Sequence, residues 1–152
     1  MTPDMFRFSE IKHRVERGQP GLYEIHTTSG LKLKVGVSGD LHRRLCQHRA
    51  SRQSKLSLCP GGDWSNPNDV RSKQSILTKH LYYDGAIAPD YDFKSEAGRC
   101  KFLEDRCVIT IEPTASRADA VILERQREAT GEYRYAGEVI VRRMEAQAVV
   151  QD

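Results

Sequence analysis

Long apolar runs are missing from this sequence, and their absence excludes the membrane-spanning classes of protein. No stretch of the 152 residues approaches the roughly 20 consecutive apolar residues of a transmembrane helix. The first residues, MTPDMFRFSEIKHR, carry too much charge for a secretory signal. Internal repeats and low-complexity tracts are also missing. We therefore expect a cytoplasmic protein with no membrane partner.

Cysteine is scarce and irregularly spaced. The sequence has Cys46, Cys59, Cys100 and Cys107. Because cytosolic thiols stay reduced, we expect four free thiols rather than a disulfide framework. The Cys46-x-His48 string with the other three cysteines is an alternative zinc site, but these spacings fit no standard zinc module. Scattered cysteines are more common as small buried hydrophobes.

The rest of the composition is that of an ordinary globular protein. Hydrophobic residues make up 38% and charged residues 30%, and the net charge of +3 is too small to indicate a partner by itself. The length allows one domain with a real core but not two comfortable ones. We expect a helical N-terminal extension over residues 1–20, a main domain over residues 21–143 and a tail over residues 144–152.

Acidic residues are absent from residues 41–62, where the basic residues are Arg43, Arg44, Arg49, Arg52 and Lys55. A solvated helix face is the commonest explanation of such a run. Cations clustered without counter-charges are also the electrostatic footprint of nucleic-acid binding. Because a candidate phosphate site adjoins this run, we interpret Arg43, Arg49, Arg52 and Lys55 as candidate nucleic-acid contacts.

That candidate site comes from residues 21–48, the most patterned stretch of the sequence. Apolar residues predict strands over 21–27 and 31–38, and Ser29-Gly30 between them supplies the positive φ of a tight hairpin. Asp40 is a good N-cap for a following helix. The hairpin and helix would therefore lie side by side.

Four polar side chains converge in this arrangement. Arg44 and His48 are four residues apart on one helix face, Tyr23 lies in the first strand, and Lys34 lies in the second. Tyrosine, lysine, arginine and histidine around one spot form an anion site, and phosphate is the obvious candidate.

The remaining segments predict an α+β fold, a small and mainly antiparallel three-stranded sheet flanked by helices. Helices are expected over 5–17, from Asn68 or Asp69 to about Tyr83, over 95–105, and from a Ser116 capping box to about Ala129. The third strand is expected over 107–112 and a last extended segment over 133–141. Residues 51–68, which include Trp64, are expected to form a long loop, with Trp64 packing or stacking on a base.

Several short strings then indicate a family. They are Gly21-Leu22-Tyr23, Lys34-Val35-Gly36, Ser38-Gly39-Asp40-Leu41-His42-Arg43-Arg44, Arg44-Leu45-Cys46-Gln47-His48, and Glu124 on a helix after a strand. In this order the chain resembles the GIY-YIG nuclease superfamily, clearly over 21–48 and loosely as far as Glu124. Lys34 stands where the second motif has tyrosine. The asparagine that usually follows the glutamate helix has no clear counterpart.

The resemblance implies a metal-dependent endonuclease that hydrolyses DNA phosphodiester bonds with one Mg²⁺ or Mn²⁺ ion. Glu124 would hold the metal, with Glu128 one turn later as the alternative ligand. Arg44 would clamp the phosphate oxygens, and Tyr23 would act as general base, its pKa lowered by Lys34 and Arg44. His48 would accept a proton from Tyr23 or orient the water. A homodimer would allow double-strand cleavage.

A second hypothesis stays open beside the enzyme. The same scaffold could be a catalytically inactive module that binds nucleic acid or a protein partner. Lys34 in place of tyrosine favours that module. Glu124 favours the nuclease, because binding alone would not require a metal-holding carboxylate.

Overall fold

The structure, a computed structural model, describes residues 4–137. Its strands are β1 (Phe6–Arg7), β2 (Gly21–Thr27), β3 (Lys32–Ser38), β4 (Leu56–Leu58), β5 (Val70–Ser72) and β6 (Cys107–Pro113). Its α-helices are α1 (Ile11–Arg14), α2 (Leu41–Ala50), α3 (Ile76–Tyr82), α4 (Glu96–Arg106) and α5 (Arg117–Glu128). The described residues form two compact units, one of residues 4–49 and 103–136 and one of residues 50–102 with Gly137.

The predicted hairpin and its helix are confirmed. β2 and β3 pair antiparallel, with Gly21 opposite Ser38 at one end. Gly30 in the connecting turn has φ of +97°, which a side chain would disfavour. The Asp40 carboxylate accepts a hydrogen bond from the Arg43 backbone N–H at 3.3 Å, so this residue caps α2 as its sequence position predicts.

The first unit contains a four-stranded antiparallel sheet in the order β1-β6-β2-β3. The α+β class is therefore confirmed, but the predicted count of three strands is wrong. The extra strand is Phe6–Arg7, which pairs with Ile109 and Val108. The helix predicted over 5–17 is reduced to α1 and a 3₁₀ turn over Phe8–Glu10. Phe6 and Phe8, two residues apart, are both buried. A spacing of two is typical of a strand, and it describes this segment better than the helical spacing on which the prediction was based.

One face of this sheet packs against α5. Leu22 and Val35, on neighbouring strands, form a buried cluster with Ala120 and Tyr133. The helix begins as its sequence predicts, because the Ser116 hydroxyl accepts a hydrogen bond from the Asp119 N–H at 3.2 Å. Apolar packing thus fixes which side of α5 meets the sheet.

A cluster of charged side chains holds the C-terminal end of α5 against the sheet. The Arg127 guanidinium binds the carboxylates of both Glu24 and Glu112. His26 Nε2 lies 3.0 Å from the other oxygen of Glu24. The bond from His26 and that from Arg127 outweigh burial and hold the pKa of Glu24 at about 2. The buried carboxylate of Glu24 thus has a partner at each oxygen, as a buried charge requires.

Two predictions for the second unit are wrong. Residues 51–68 are not a featureless loop, because Leu56–Leu58 pairs with Val70–Ser72 as a two-stranded antiparallel ribbon. The helix predicted from Asn68 or Asp69 begins only at Ile76, because Val70 is paired with Leu58 in the ribbon. Trp64, between the two strands, is 37% exposed and lies 5.7 Å from the Tyr82 ring.

The remaining elements largely follow the sequence. α4 and β6 match the predictions for 95–105 and 107–112 within a residue. Residues 133–137 form turns rather than the expected extended segment. The rest of that segment, and the tail over 144–152, lie outside the described residues. All four cysteines are free, as expected. Among the described helices, none is long and apolar enough to span a membrane.

The charged cluster predicts an acid-dependent stability. A carboxylate whose folded pKa is depressed from 4.5 to about 2 stabilises the fold above pH 4.5, and that contribution is lost as the pH falls toward 2. Glu24→Gln should therefore cost up to about 3 kcal/mol at pH 7 and should flatten the stability profile between pH 5 and 2. Urea unfolding at a series of pH values measures this. Glu16→Gln, at an exposed position, is the matched control, and parallel profiles for wild type and Glu24→Gln would contradict the assignment.

Candidate active site

The site is built around the side chain of Tyr23, which is only 1% exposed. The hairpin register places Tyr23 directly opposite Gly36. A Cβ atom at Gly36 would overlap the Tyr23 hydroxyl and ring. Glycine is therefore required at this position so that the phenol can lie across β3.

Tyr23 is hydrogen-bonded to a histidine on α2. Its hydroxyl lies 2.6 Å from His48 Nε2, and the two ring centroids are 5.3 Å apart. His48 is buried on the same side of α2 as Leu41 and Leu45, facing the core. Its Nδ1 atom is buried and has no hydrogen-bond partner among the described residues. Burial, and then the charges of Arg44 and Lys34, lower the pKa of His48 well below its usual value.

The same pair keeps its phenol protonated. Burial raises the pKa of Tyr23 to about 12, although Arg44 acts in the opposite direction through its charge and a hydrogen bond. Phenol and imidazole are therefore both neutral near pH 7, and they share one short hydrogen bond. A neutral phenol can pass a proton to Nε2 of a neutral imidazole, so the pair is arranged for proton transfer.

Lys34 adds a second cation to the site. It pairs opposite Ile25, on the face of the hairpin that carries Tyr23. Burial and the nearby Arg44 charge lower the pKa of Lys34, while Glu124 and Glu128 raise it. Lys34 is therefore within electrostatic reach of a second cation and of both carboxylates of α5, and a bound anion would favour its charged form.

Glu124 and Glu128 are the acidic side of the site. They are one turn apart on α5, so their side chains share a helix face. Burial, and then repulsion from Glu128, raise the pKa of Glu124. A cation between them would relieve this repulsion.

The donor set fits one kind of metal site. Within residues 4–137, no three His, Cys, Asp or Glu side chains are grouped as a ready-made metal cage. Mg²⁺ usually takes one or two protein carboxylates and completes its shell with water and phosphate oxygens. Glu124, with Glu128 as a second donor, fits that pattern.

All five residues predicted to form the site lie in the first unit. Tyr23 contacts His48, Arg44 acts on Tyr23 through its charge and a hydrogen bond, and Lys34 and Glu124 act on this group through their charges. Sequence reasoning missed the contact between Tyr23 and Gly36. The turn at Ser29-Gly30 does not reveal this contact, because the register shifts between Ile25 and His26, and Tyr23 lies opposite Gly36 only beyond that shift.

The predicted nucleic-acid contacts are divided between the two units. Arg43 is exposed on α2. Arg49 forms an ion pair with Glu104, its Nε lying 2.9 Å from Oε1, so its charge is already compensated. Arg52 and Lys55 belong to the second unit.

Comparison with known proteins gives no assignment. No protein-family model matches the sequence, and no curated protein or solved structure is significantly similar to it. The function is therefore inferred from the chemistry of the site.

The crowding of Gly36 against Tyr23 can be tested by substitution. Gly36→Ala should destabilise the protein by about 1–3 kcal/mol, because the added methyl must displace the Tyr23 ring. Gly39→Ala is the matched control, since nothing lies within 4 Å of a Cβ there and its φ is not positive. Urea unfolding of both variants gives the comparison. Equal stabilities would show that the Tyr23 ring does not occupy this space.

The state of His48 gives a second test. Because its pKa is lowered well below 6.5, its ring nitrogens should stay neutral from pH 8 to pH 5 in the folded protein. Nitrogen chemical shifts of the assigned histidine rings measure this directly. The same residue in urea-unfolded protein is the control and should titrate normally. A midpoint near 6.5 in the folded state would mean that the ring is solvated.

Proposed function

We propose that this protein is a metal-dependent endonuclease that hydrolyses phosphodiester bonds of DNA. The observation that supports it best is the short buried bond between Tyr23 and His48, set beside two cations and a pair of carboxylates. A merely structural pair would not need Arg44, Lys34 and Glu124 around it. Phosphoryl transfer needs such groups together, because it requires both proton transfer and compensation of developing negative charge.

The cations would bind the reacting phosphate. As water attacks phosphorus, negative charge grows on the non-bridging oxygens, and the planar guanidinium of Arg44 can donate two parallel hydrogen bonds to them. The lysine ammonium of Lys34 adds a point charge on the same side. Its depressed pKa returns toward normal when the anion arrives, so phosphate binding favours the charged lysine.

The tyrosine–histidine pair would take up the proton. As the oxygen of water bonds to phosphorus, its proton passes to the Tyr23 oxygen while the phenolic proton passes to His48 Nε2. The P–O bond to the leaving oxygen then breaks, and that oxygen takes a proton from solvent. The imidazolium formed on His48 is compensated by the charge on the phosphate. This relay accounts for a tyrosine whose pKa, about 12, is too high for a pre-formed phenolate.

The carboxylates of α5 would hold the divalent ion. Glu124 would be the first ligand and Glu128 the second, since both are hard oxygen donors. When bound, Mg²⁺ or Mn²⁺ supplies charge neutralisation at the phosphate and a more acidic water.

Nicking of supercoiled plasmid in Mg²⁺ or Mn²⁺ tests the proposal. Wild type should nick, and Arg44→Ala and Glu124→Gln should each lower the rate by a factor of about 10² or more, the usual effect of removing one group that stabilises transition-state charge. Lys12→Ala and Glu16→Gln, at exposed positions, are the charge-matched controls and should nick like wild type.

Calorimetric titration with Mn²⁺ separates the metal site from activity. Glu124→Gln should lose Mn²⁺ binding, whereas Arg44→Ala should keep it. A wild-type protein that binds DNA equally well in EDTA and never nicks would instead support the inactive binding module. Equal nicking by all variants would exclude this site as the source of activity.

A further inference from the structure

The second unit carries a basic surface that the proposed active site does not use. β4 and β5 pair with Ser57 opposite Arg71, and the ladder continues beyond the strands because the Lys73 N–H donates to the Lys55 carbonyl at 2.8 Å. Directly opposed residues of an antiparallel pair point to the same side, and residues two apart on one strand share a face. Ser57 and Arg71 therefore lie on one face of the ribbon, and Lys55 and Lys73 lie at its end, just outside the two strands.

The opposite face is turned inward. Leu56 and Val70 are buried, 6% and 2% exposed, whereas Arg71 and Lys73 are exposed. Alternation thus gives the ribbon a buried apolar side and an outward side with Ser57 and Arg71, and Lys55 and Lys73 add two cations at its end. No carboxylate of the described residues forms an ion pair with these three cations.

The acidic residues of this segment lie at the other end of the ribbon. The Asp69 carboxylate accepts the Asp63 N–H at 3.0 Å, and the Asp63 carboxylate accepts the Ser65 N–H at 2.9 Å. Both carboxylates are thus engaged in folding the connecting loop. At the end where Lys55 meets Lys73, the carboxylate of Glu96 accepts the Gln53 N–H at 2.7 Å, and the three cations outnumber it.

We propose that this outward ribbon face binds the phosphate backbone of duplex DNA and so holds the substrate of the proposed nuclease. The inference rests on that proposed function and adds a docking surface to it. Arg71 and Ser57 on this face, with Lys55 and Lys73 at its end, present three cations and no aromatic side chain, which suits phosphates rather than unstacked bases. A two-stranded antiparallel ribbon also has the width that a DNA major groove admits.

The spacing of the cations agrees with a polyanion. Arg71 and Lys73 are about 7 Å apart along the strand, and Lys55 lies about 5 Å across from Lys73. Each cation that contacts a phosphate releases counterions, so its loss should make binding less dependent on salt by about one in the slope of log K against log salt.

Fluorescence anisotropy with a labelled 30-base-pair duplex in EDTA is the test, in a Glu124→Gln background so that the duplex stays intact. The triple variant Lys55→Gln, Arg71→Gln, Lys73→Gln should bind roughly a hundredfold more weakly at 0.1 M salt, with a slope shallower by about 3. The control triple is Lys12→Gln, Arg17→Gln, Lys101→Gln, at exposed positions outside the ribbon. It removes the same charge and should keep most of the affinity and slope.

Two further measurements distinguish a loss of DNA contacts from misfolding of the triple variant. The charge-retaining triple Lys55→Arg, Arg71→Lys, Lys73→Arg should restore binding. Trp64, the single tryptophan, lies in the loop between β4 and β5, so its emission should change as duplex is added. The proposal is overturned if the parent does not bind duplex, if both Gln triples lose affinity equally, or if single-stranded DNA or RNA competes as well as duplex.

Plasmid nicking separates this proposal from the nuclease proposal. In the wild-type background the ribbon triple should raise KM and leave kcat at saturating DNA unchanged. If wild type nicks and the triple binds and nicks like it, the ribbon proposal alone fails. If wild type never nicks but the triple loses duplex binding, the nuclease proposal alone fails.

Discussion

The register that sets Tyr23 opposite Gly36 is the constraint on which the rest of the site depends. A shift of one residue would move every side chain of the hairpin to the other face of the sheet. Any side chain at Gly36 would occupy the space that the phenol now fills. Only with this register and this glycine does the Tyr23 hydroxyl reach His48, and only then do Arg44 and Lys34 act on the same pair.

The position of the α5 carboxylates depends on a second, separate set of contacts. Glu124 is placed by α5, and α5 is held to the sheet by apolar packing at Leu22 and Val35 and by the ion cluster of Arg127 with Glu24 and Glu112. His48, the partner of Tyr23, is therefore positioned by α2, and the proposed metal ligands Glu124 and Glu128 are positioned by α5. Both helices contact the same β2–β3 hairpin. This shared contact explains how residues about a hundred positions apart come into one unit.

The sequence predicted the centre better than its surroundings. The hairpin, the α2 cap and the α5 cap have local signals, a Ser-Gly turn and side chains that bond to the next few N–H groups, so they were predictable. The strand at Phe6–Arg7 and the β4–β5 ribbon were missed because they are two and three residues long and are defined by partners distant in sequence. The pKa of Tyr23 was also predicted in the wrong direction. Arg44 does lower it, but burial has the larger effect, and the sequence alone does not show how deeply a side chain is buried.

The strand order also has a consequence for synthesis on the ribosome. β6 lies between β1 and β2, yet its last residue, Pro113, comes 75 residues after the end of the hairpin at Ser38, with the second unit in between. At elongation rates of ~5–20 residues per second, the unpaired edge of β2 waits about 4 to 15 s for its neighbour. During that interval the nascent hairpin exposes strand edges and apolar residues that favour aggregation. Translation speed through residues 50–102 thus sets how long the chain needs protection by chaperones.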